Sequence, residues 1–212
     1  MLPSTTDTTE MRRMAPGLRR WIWMPALAGM LASCAAPKNE LFVVDHLPSG
    51  IAEHYRETFN EACFDIDTEG NVNVVLRQEQ PFPDDPGRTL LQVVHVRSFW
   101  KPIPGVTVAH DRQINAVVRY AVYDGRSGAC FEGAGSAFFR DTRDGRTLVG
   151  ELGLVCLSPK ARLNEGRTVF ERAELSGRFT ALRDPRRVTR WRNELEGWFA
   201  LDDRNALSLA AP

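Results

Sequence analysis

Side chains that could carry out acid–base, nucleophilic or metal chemistry are spread along this chain and do not form a known motif. Its histidines are not in metal-ligand spacing with one another or with the cysteines; they are His46, His54, His95 and His110. His95, within the apolar residues 93–96, is predicted to be a strand residue that faces outward, and only its neighbours in the fold could make it a catalyst. Ser136 has small neighbours but no glycine two positions later, so it is not part of a nucleophile elbow. The sequence therefore predicts no catalytic residues.

Residues 65–73 imitate the first half of a calcium-binding loop. Side-chain oxygens alternate along this segment and Gly70 is at its sixth position, but Leu76 stands at the twelfth, where the loop needs a bidentate glutamate. A turn rich in Asp, Asn and Gly between a helix and a strand has the same composition, and we favour that interpretation. No metal and no other cofactor is predicted.

Three cysteines, Cys63, Cys130 and Cys156, follow Cys34. In an oxidising compartment one disulfide is expected among these three. Cys130 and Cys156 would be nearly opposite in a hairpin that turns near Arg143, but the alternation of apolar residues puts them on opposite faces. Cys63 belongs to an apolar stripe that could meet Cys156. The pairing of Cys63 with Cys156 is preferred, and the other pairings stay open.

The run from Arg19 to Cys34 has the order of a secretory leader, with two arginines, a short apolar stretch and then Leu31-Ala32-Ser33-Cys34. The apolar stretch, residues 21–33, has 13 residues. At about 1.5 Å per residue it is too short to span a hydrocarbon core of about 30 Å. Small residues before Cys34 suit the narrow cleft of a signal peptidase. Residues 19–34 resemble the leader of a bacterial lipoprotein precursor.

This resemblance implies that residues 1–33 are a signal peptide and that Cys34 becomes the first residue of the mature protein. Its thiol would carry a diacylglyceryl group and its amino group a further fatty acyl chain such as palmitate. Because each buried methylene contributes about 0.8 kcal/mol, two or three chains would hold the protein at a bilayer. Ala35 stands where lipoproteins retained at the inner membrane often have aspartate, so the outer membrane is preferred over the inner.

Composition limits what the mature protein can be. The chain has 27 basic and 27 acidic residues, and without the four arginines and two acids of the leader 23 and 25 remain. This balance argues against nucleic-acid binding, which needs a concentrated basic surface. The residues after the leader are enough for one domain. We therefore predict a lipidated cysteine and tether over residues 34–40 and a single domain over residues 41–212.

The predicted domain begins with a helix, because apolar residues recur every four positions at Ile51, Tyr55, Phe59 and Cys63. Turn sequences such as Asp124-Gly125 then separate short apolar segments that are typical of antiparallel strands. These five strands are predicted at residues 72–78, 89–100, 113–123, 130–140 and 147–157.

A second helix is predicted at the C-terminal end of the domain. Asp184 can cap it, Pro185 suits its first position, and its apolar stripe consists of Val188, Trp191, Leu195 and Trp198. The predicted fold class is α+β, a single antiparallel β-meander sheet of about five strands with an N-terminal and a C-terminal amphipathic helix.

Two segments are candidates for contact with a partner. One is a stiff aromatic loop with two prolines, and the other is the arginine-rich face of the C-terminal helix. The candidate binding residues are Trp100, Lys101, Ile103, Arg186 and Arg190.

The sequence favours a lipid-anchored envelope protein without enzymatic activity, an accessory or binding module for another envelope component, either a protein or a glycan. Two alternatives stay open. One is an envelope hydrolase whose serine, histidine and acid meet only in the fold. The other is a structural subunit that assembles through its sheet edges.

Overall fold

The computed structural model describes residues 39–82, 85–99, 114–142, 144–163 and 170–209. These residues form nine strands followed by one helix. The elements are β1 (Asn39–His46), β2 (Ala52–Phe59), β3 (Glu61–Ile66), β4 (Val72–Phe82), β5 (Asp85–Ser98), β6 (Ala116–Tyr123), β7 (Gly128–Asp141), β8 (Thr147–Leu163), β9 (Ala173–Arg183) and α1 (Pro185–Leu209).

Seven of the strands close a barrel. β3 to β8 lie side by side in chain order as an antiparallel meander, and β9 pairs with β8 on one edge and with β3 on the other. The β8–β9 ladder is antiparallel. The contact between β3 and β9 is short and parallel, and joins Cys63 to Leu182 and Phe64 to Arg183. The hairpin of β1 and β2 adds two further strands beside the first half of β9.

The predicted α+β class is wrong, because the fold is a mostly-β closed barrel. All five predicted strands are present as β4 to β8, and the C-terminal helix is α1. The N-terminal helix is replaced by β2 and β3. A spacing of four residues is also a multiple of two, so it fits one face of a strand as well as one face of a helix. Tyr55 and Phe59 pack against the core that fills the barrel, whereas Cys63 belongs to the core outside the barrel, beyond the bend at Asn60.

Alternate residues of the strands fill the barrel with aliphatic and aromatic side chains. Val74, Val94 and Val118 belong to this interior core. Phe131 packs at 5.3 Å from Phe170 between ring centroids, which adds an aromatic contact to the aliphatic packing.

A second core lies outside the barrel, beneath α1. Val188, Trp191 and Leu195 of the helix pack against outward-facing residues of the strands, among them Val75 and Val93. The helix therefore covers the outer face of neighbouring strands, and polar residues at outward positions there are partly withdrawn from water. Among the described residues no helix is both long enough and apolar enough to cross a bilayer.

Asn39 marks the point where β1 and β3 share one edge of β9. Its amide donates to the carbonyl of Phe59 at 3.2 Å, and its Oδ1 accepts from the backbone N–H of Thr180 at 2.7 Å. These bonds replace ladder hydrogen bonds where the two strands diverge. They place the start of β1 beside the second half of β9.

Candidate functional site

A pocket of about 370 Å³ lies between α1 and the outer faces of β4, β5 and β6. Its lining is rich in charged and polar side chains. The lining residues are Asp67, Asn73, His95, Arg97, Phe99, Val117, Arg119, Arg192 and Glu196.

Strand register brings the polar residues of this pocket together. Asn73 of β4 is opposite Arg97 of β5, and His95 of β5 is opposite Arg119 of β6. All four face outward because the residues between them fill the barrel. Arg192, with Glu196 one turn later, reaches the same space from α1.

His95 is buried and contacts the side-chain amide of Asn73. The residue is only 6% exposed, and its Nε2 lies 3.2 Å from Oδ1 of Asn73. Because an amide oxygen only accepts, Nε2 of His95 is the donor in this contact. The side chain of Asn73 also helps to lower the carboxyl pKa of Asp67.

The surroundings of His95 keep it neutral. Burial, and then the positive charges of Arg192, Arg119 and Arg97, lower the pKa of His95 to about 3. Asp67, in contrast, has a carboxyl pKa below its usual range because the Asn71 side chain, and also backbone N–H groups, hydrogen-bond to it. At neutral pH the pocket therefore holds a neutral imidazole and an ionised carboxylate.

Each guanidinium of the pocket has a carboxylate nearby, but two of the three contacts are long. Arg97 is 3.5 Å from Glu69 and Arg192 is 3.6 Å from Glu196, and these acids are 73% and 50% exposed. Both carboxylates are therefore more solvated than the arginines, whose side chains are 45% and 36% exposed. The buried Nε of Arg192 has no hydrogen-bond partner in the described part of the chain.

Arg119 is held more firmly than the other two arginines. Its Nε donates to Glu132 at 2.8 Å, and its guanidinium lies 5.1 Å from the ring centroid of Phe199. Binding through Nε leaves the forked Nη groups as donors for a ligand.

The described lining of this pocket is rich in hydrogen-bond donors for a ligand. No serine, threonine or cysteine is among the described residues that line the pocket. The hydrogen bond of His95 goes to an amide, not to a hydroxyl or a carboxylate. Within the described ranges no group of three or more His, Cys, Asp and Glu side chains could hold a metal ion.

Of the residues that the sequence suggested for binding, Arg186 and Arg190 do not line this pocket. Arg186 and Arg190 are exposed on α1, and the guanidinium of Arg190 lies 5.8 Å from the ring centroid of Trp191. Outside the described residues lie Cys34, Trp100, Lys101 and Ile103.

The structure does not bring together the two cysteines of the preferred disulfide. Cys63 is buried beneath α1 and is opposite Leu182 on β9, whereas Cys156 is exposed and is opposite Glu174. These positions are eight residues apart along β9, or about 26 Å at 3.3 Å per residue. Cys63 and Cys156 are both free thiols in this structure.

The sequence draws attention to His95 but not to Arg97, Arg119 and Arg192. A signal was present in β5, where His95 interrupts a continuous apolar run. Such a run is typical of a strand covered on both faces. A polar residue within it is therefore buried and needs partners. Nothing in the sequence indicated that partners would come from α1, about 100 residues later.

Comparisons with models of known protein families, with curated proteins and with solved structures found no match.

Proposed function

We propose that this chain is a lipid-anchored binding protein of the bacterial cell envelope, held at the outer membrane by acylated Cys34. Its pocket binds an acidic group of another envelope component, either a protein or a glycan. The observation that carries this proposal is the meeting of three guanidiniums around the buried, neutral His95.

Electrostatics at the inner end of the pocket favours an anion. Three arginines and two acids, Asp67 and Glu196, line the pocket, so its lining carries a net positive charge, and the arginines lower the pKa of His95. An oxyanion placed there would accept from guanidinium N–H groups, including the buried Nε of Arg192. Hydrogen bonds of this charge-assisted kind are stronger than neutral ones.

Phe99 gives the pocket an apolar side. Its ring is 49% exposed, and the guanidinium of Arg97 lies 5.8 Å from its centroid. A ligand with an acidic group and an apolar or sugar-ring portion would contact both kinds of surface.

Binding is better supported than hydrolysis. A histidine with a pKa of about 3 is a poor general base near neutral pH, since little driving force favours its protonation. Assembly through sheet edges would have to use β2, the terminal strand of the sheet, because each barrel strand has a neighbouring strand on both sides.

The pocket can be tested by nuclear magnetic resonance on the mature chain from residue 34 with Cys34→Ala, which removes the acylation site. Inorganic phosphate and acetate serve as probes, because they separate phosphoryl from carboxylate recognition. Saturable shifts are expected at the backbone amides of Asn73, His95 and Arg97. Arg119→Gln should weaken binding about fivefold, since it removes a charge-assisted hydrogen bond of about 1 kcal/mol or more.

Arg126→Gln, in the turn between β6 and β7, is the matched control and should bind as the parent does. Equal affinities for the Arg119 and Arg126 variants, or shifts that do not saturate with either probe, would contradict the proposal.

A further inference from the structure

Exposed arginines and an exposed leucine lie where β9 ends and α1 begins. The side chain of Leu182 is 61% exposed, and the next residue, Arg183, is also exposed. The backbone N–H of Arg183 donates to the carbonyl of Arg146 at 2.9 Å, which brings the β7–β8 turn to the same place. Arg186 and Arg190 follow one turn apart on α1. We call this surface the basic patch, and its members are Arg146, Leu182, Arg183, Arg186 and Arg190.

Positive charge in the basic patch is not neutralised locally. Arg187, which lies between two members of the patch, binds Glu61 at 3.0 Å and Asp184 at 3.3 Å. Those two carboxylates are therefore engaged by a residue outside the patch. No carboxylate among the described residues lies within ion-pair distance of the four patch arginines.

The length of the chain limits the distance between the basic patch and the site of lipidation. Cys34 is five residues before Asn39, so their separation is at most about 18 Å at 3.6 Å per residue. Asn39 accepts a hydrogen bond from the backbone of Thr180. Leu182 is two residues further along β9, or about 7 Å. With about 5 Å between neighbouring strands, Leu182 is therefore within about 30 Å of Cys34 along this path, which is less than the ~37 Å length of the 25-residue helix α1.

We propose that the basic patch lies against the bilayer that holds Cys34 and binds its anionic lipid headgroups. This inference rests on the lipid anchor of the proposed function, and it concerns a different surface from the pocket. Arginine guanidiniums contact the headgroup phosphates, and Leu182 enters the interface between headgroups and acyl chains. Docking fixes the orientation of a barrel that the short tether alone would leave free to rotate.

The affinity of this surface for lipid can be measured without the acyl chains. Both cores of the fold lie within residues 39–209, so the mature chain with Cys34→Ala is a suitable protein. It is sedimented at low ionic strength with vesicles of phosphatidylcholine, either pure or mixed with an equal part of phosphatidylglycerol. We expect about tenfold stronger binding to the vesicles that contain phosphatidylglycerol, and a loss of this preference at high salt.

Charge reversal identifies the surface responsible. Replacement of Arg183, Arg186 and Arg190 together by Glu should weaken binding to the anionic vesicles about tenfold or more. The matched control reverses the charge of three basic residues near the other end of the barrel, with Arg126→Glu, Lys160→Glu and Arg172→Glu. Circular dichroism of each variant verifies its fold, and Leu182→Asp alone provides a second variant with one substitution.

Equal loss of binding in the patch and control variants, or equal binding to both kinds of vesicle, would overturn the inference. This failure can be distinguished from failure of the anchor, because the vesicle experiment uses a chain that carries no lipid. The mass of the protein purified from membranes tests the anchor independently.

Discussion

His95 is neutral near physiological pH because β4, β6 and α1 enclose its imidazole beside three guanidiniums. The unfolded chain has no such surroundings, and there the imidazole takes up a proton near pH 6.5. Between pH 6.5 and about 3 the unfolded state therefore binds more protons at this residue than the folded state does. Stability from His95 is complete above pH 6.5 and is lost as the pH falls through this window.

His95→Gln should flatten the dependence of stability on pH. The parent should lose about 1.4 kcal/mol per pH unit through this residue once the pH is below 6.5. Urea unfolding at a series of pH values from 7 to 4 measures the difference between parent and variant. His46→Gln is the control, since His46 is a partly exposed histidine that contacts Glu174. Parallel stability curves for the parent and His95→Gln would contradict the neutral, buried assignment.

Two glycines of the described elements should respond oppositely to the same substitution. Gly177 in β9 has φ +147°, and a Cβ there would lie 2.3 Å from the carbonyl oxygen of Glu40. Gly197 in α1 has open space around its Cβ position. Gly177→Ala should therefore destabilise the fold by about 2 kcal/mol or more. Gly197→Ala should stabilise it by about 1 kcal/mol, because alanine is the better helix former.

Denaturant unfolding measures both changes in the free energy of unfolding. The midpoints can be compared directly when this free energy falls with denaturant concentration at the same slope in parent and variants. Destabilisation by Gly197→Ala, or a neutral Gly177→Ala, would show that β9 or α1 is placed differently from this structure.

At the scale of elements, the sequence predicted correctly the boundaries that depend on residues close together in the chain. α1 begins at Pro185 as predicted, and Asp184 accepts from the backbone N–H of Arg187 at 3.0 Å, as a helix cap does. The helix predicted around Tyr55 and Phe59 is wrong, because its apolar spacing fits a helix and a strand equally well. Pairing of β2 with β1, which the local sequence does not encode, decides between them.

Closure of the barrel could not be predicted from the sequence, for a related reason. It depends on a parallel contact of only two residue pairs between β3 and β9, elements that are more than 100 residues apart. A meander of β4 to β8 is consistent with an open sheet as well as with a closed one. Closure nevertheless has a functional consequence, since it brings the start of α1 beside β3 and directs the helix across β4 and β5 over the pocket.

At the scale of the whole molecule, two surfaces have separate roles in this account. We propose that the basic patch faces the bilayer near Cys34 and that the pocket beneath α1 binds an acidic group of an envelope component. Acylation of Cys34 would hold both surfaces at a membrane.

The anchor is tested most directly by the intact mass of the protein purified from bacterial membranes. We predict a chain that lacks residues 1–33 and carries a diacylglyceryl group and an acyl chain on Cys34. We also predict that Cys34→Ala is released from membranes by a high-salt wash that leaves the parent in place. An unmodified thiol at Cys34, or equal retention of parent and variant after that wash, would contradict the account.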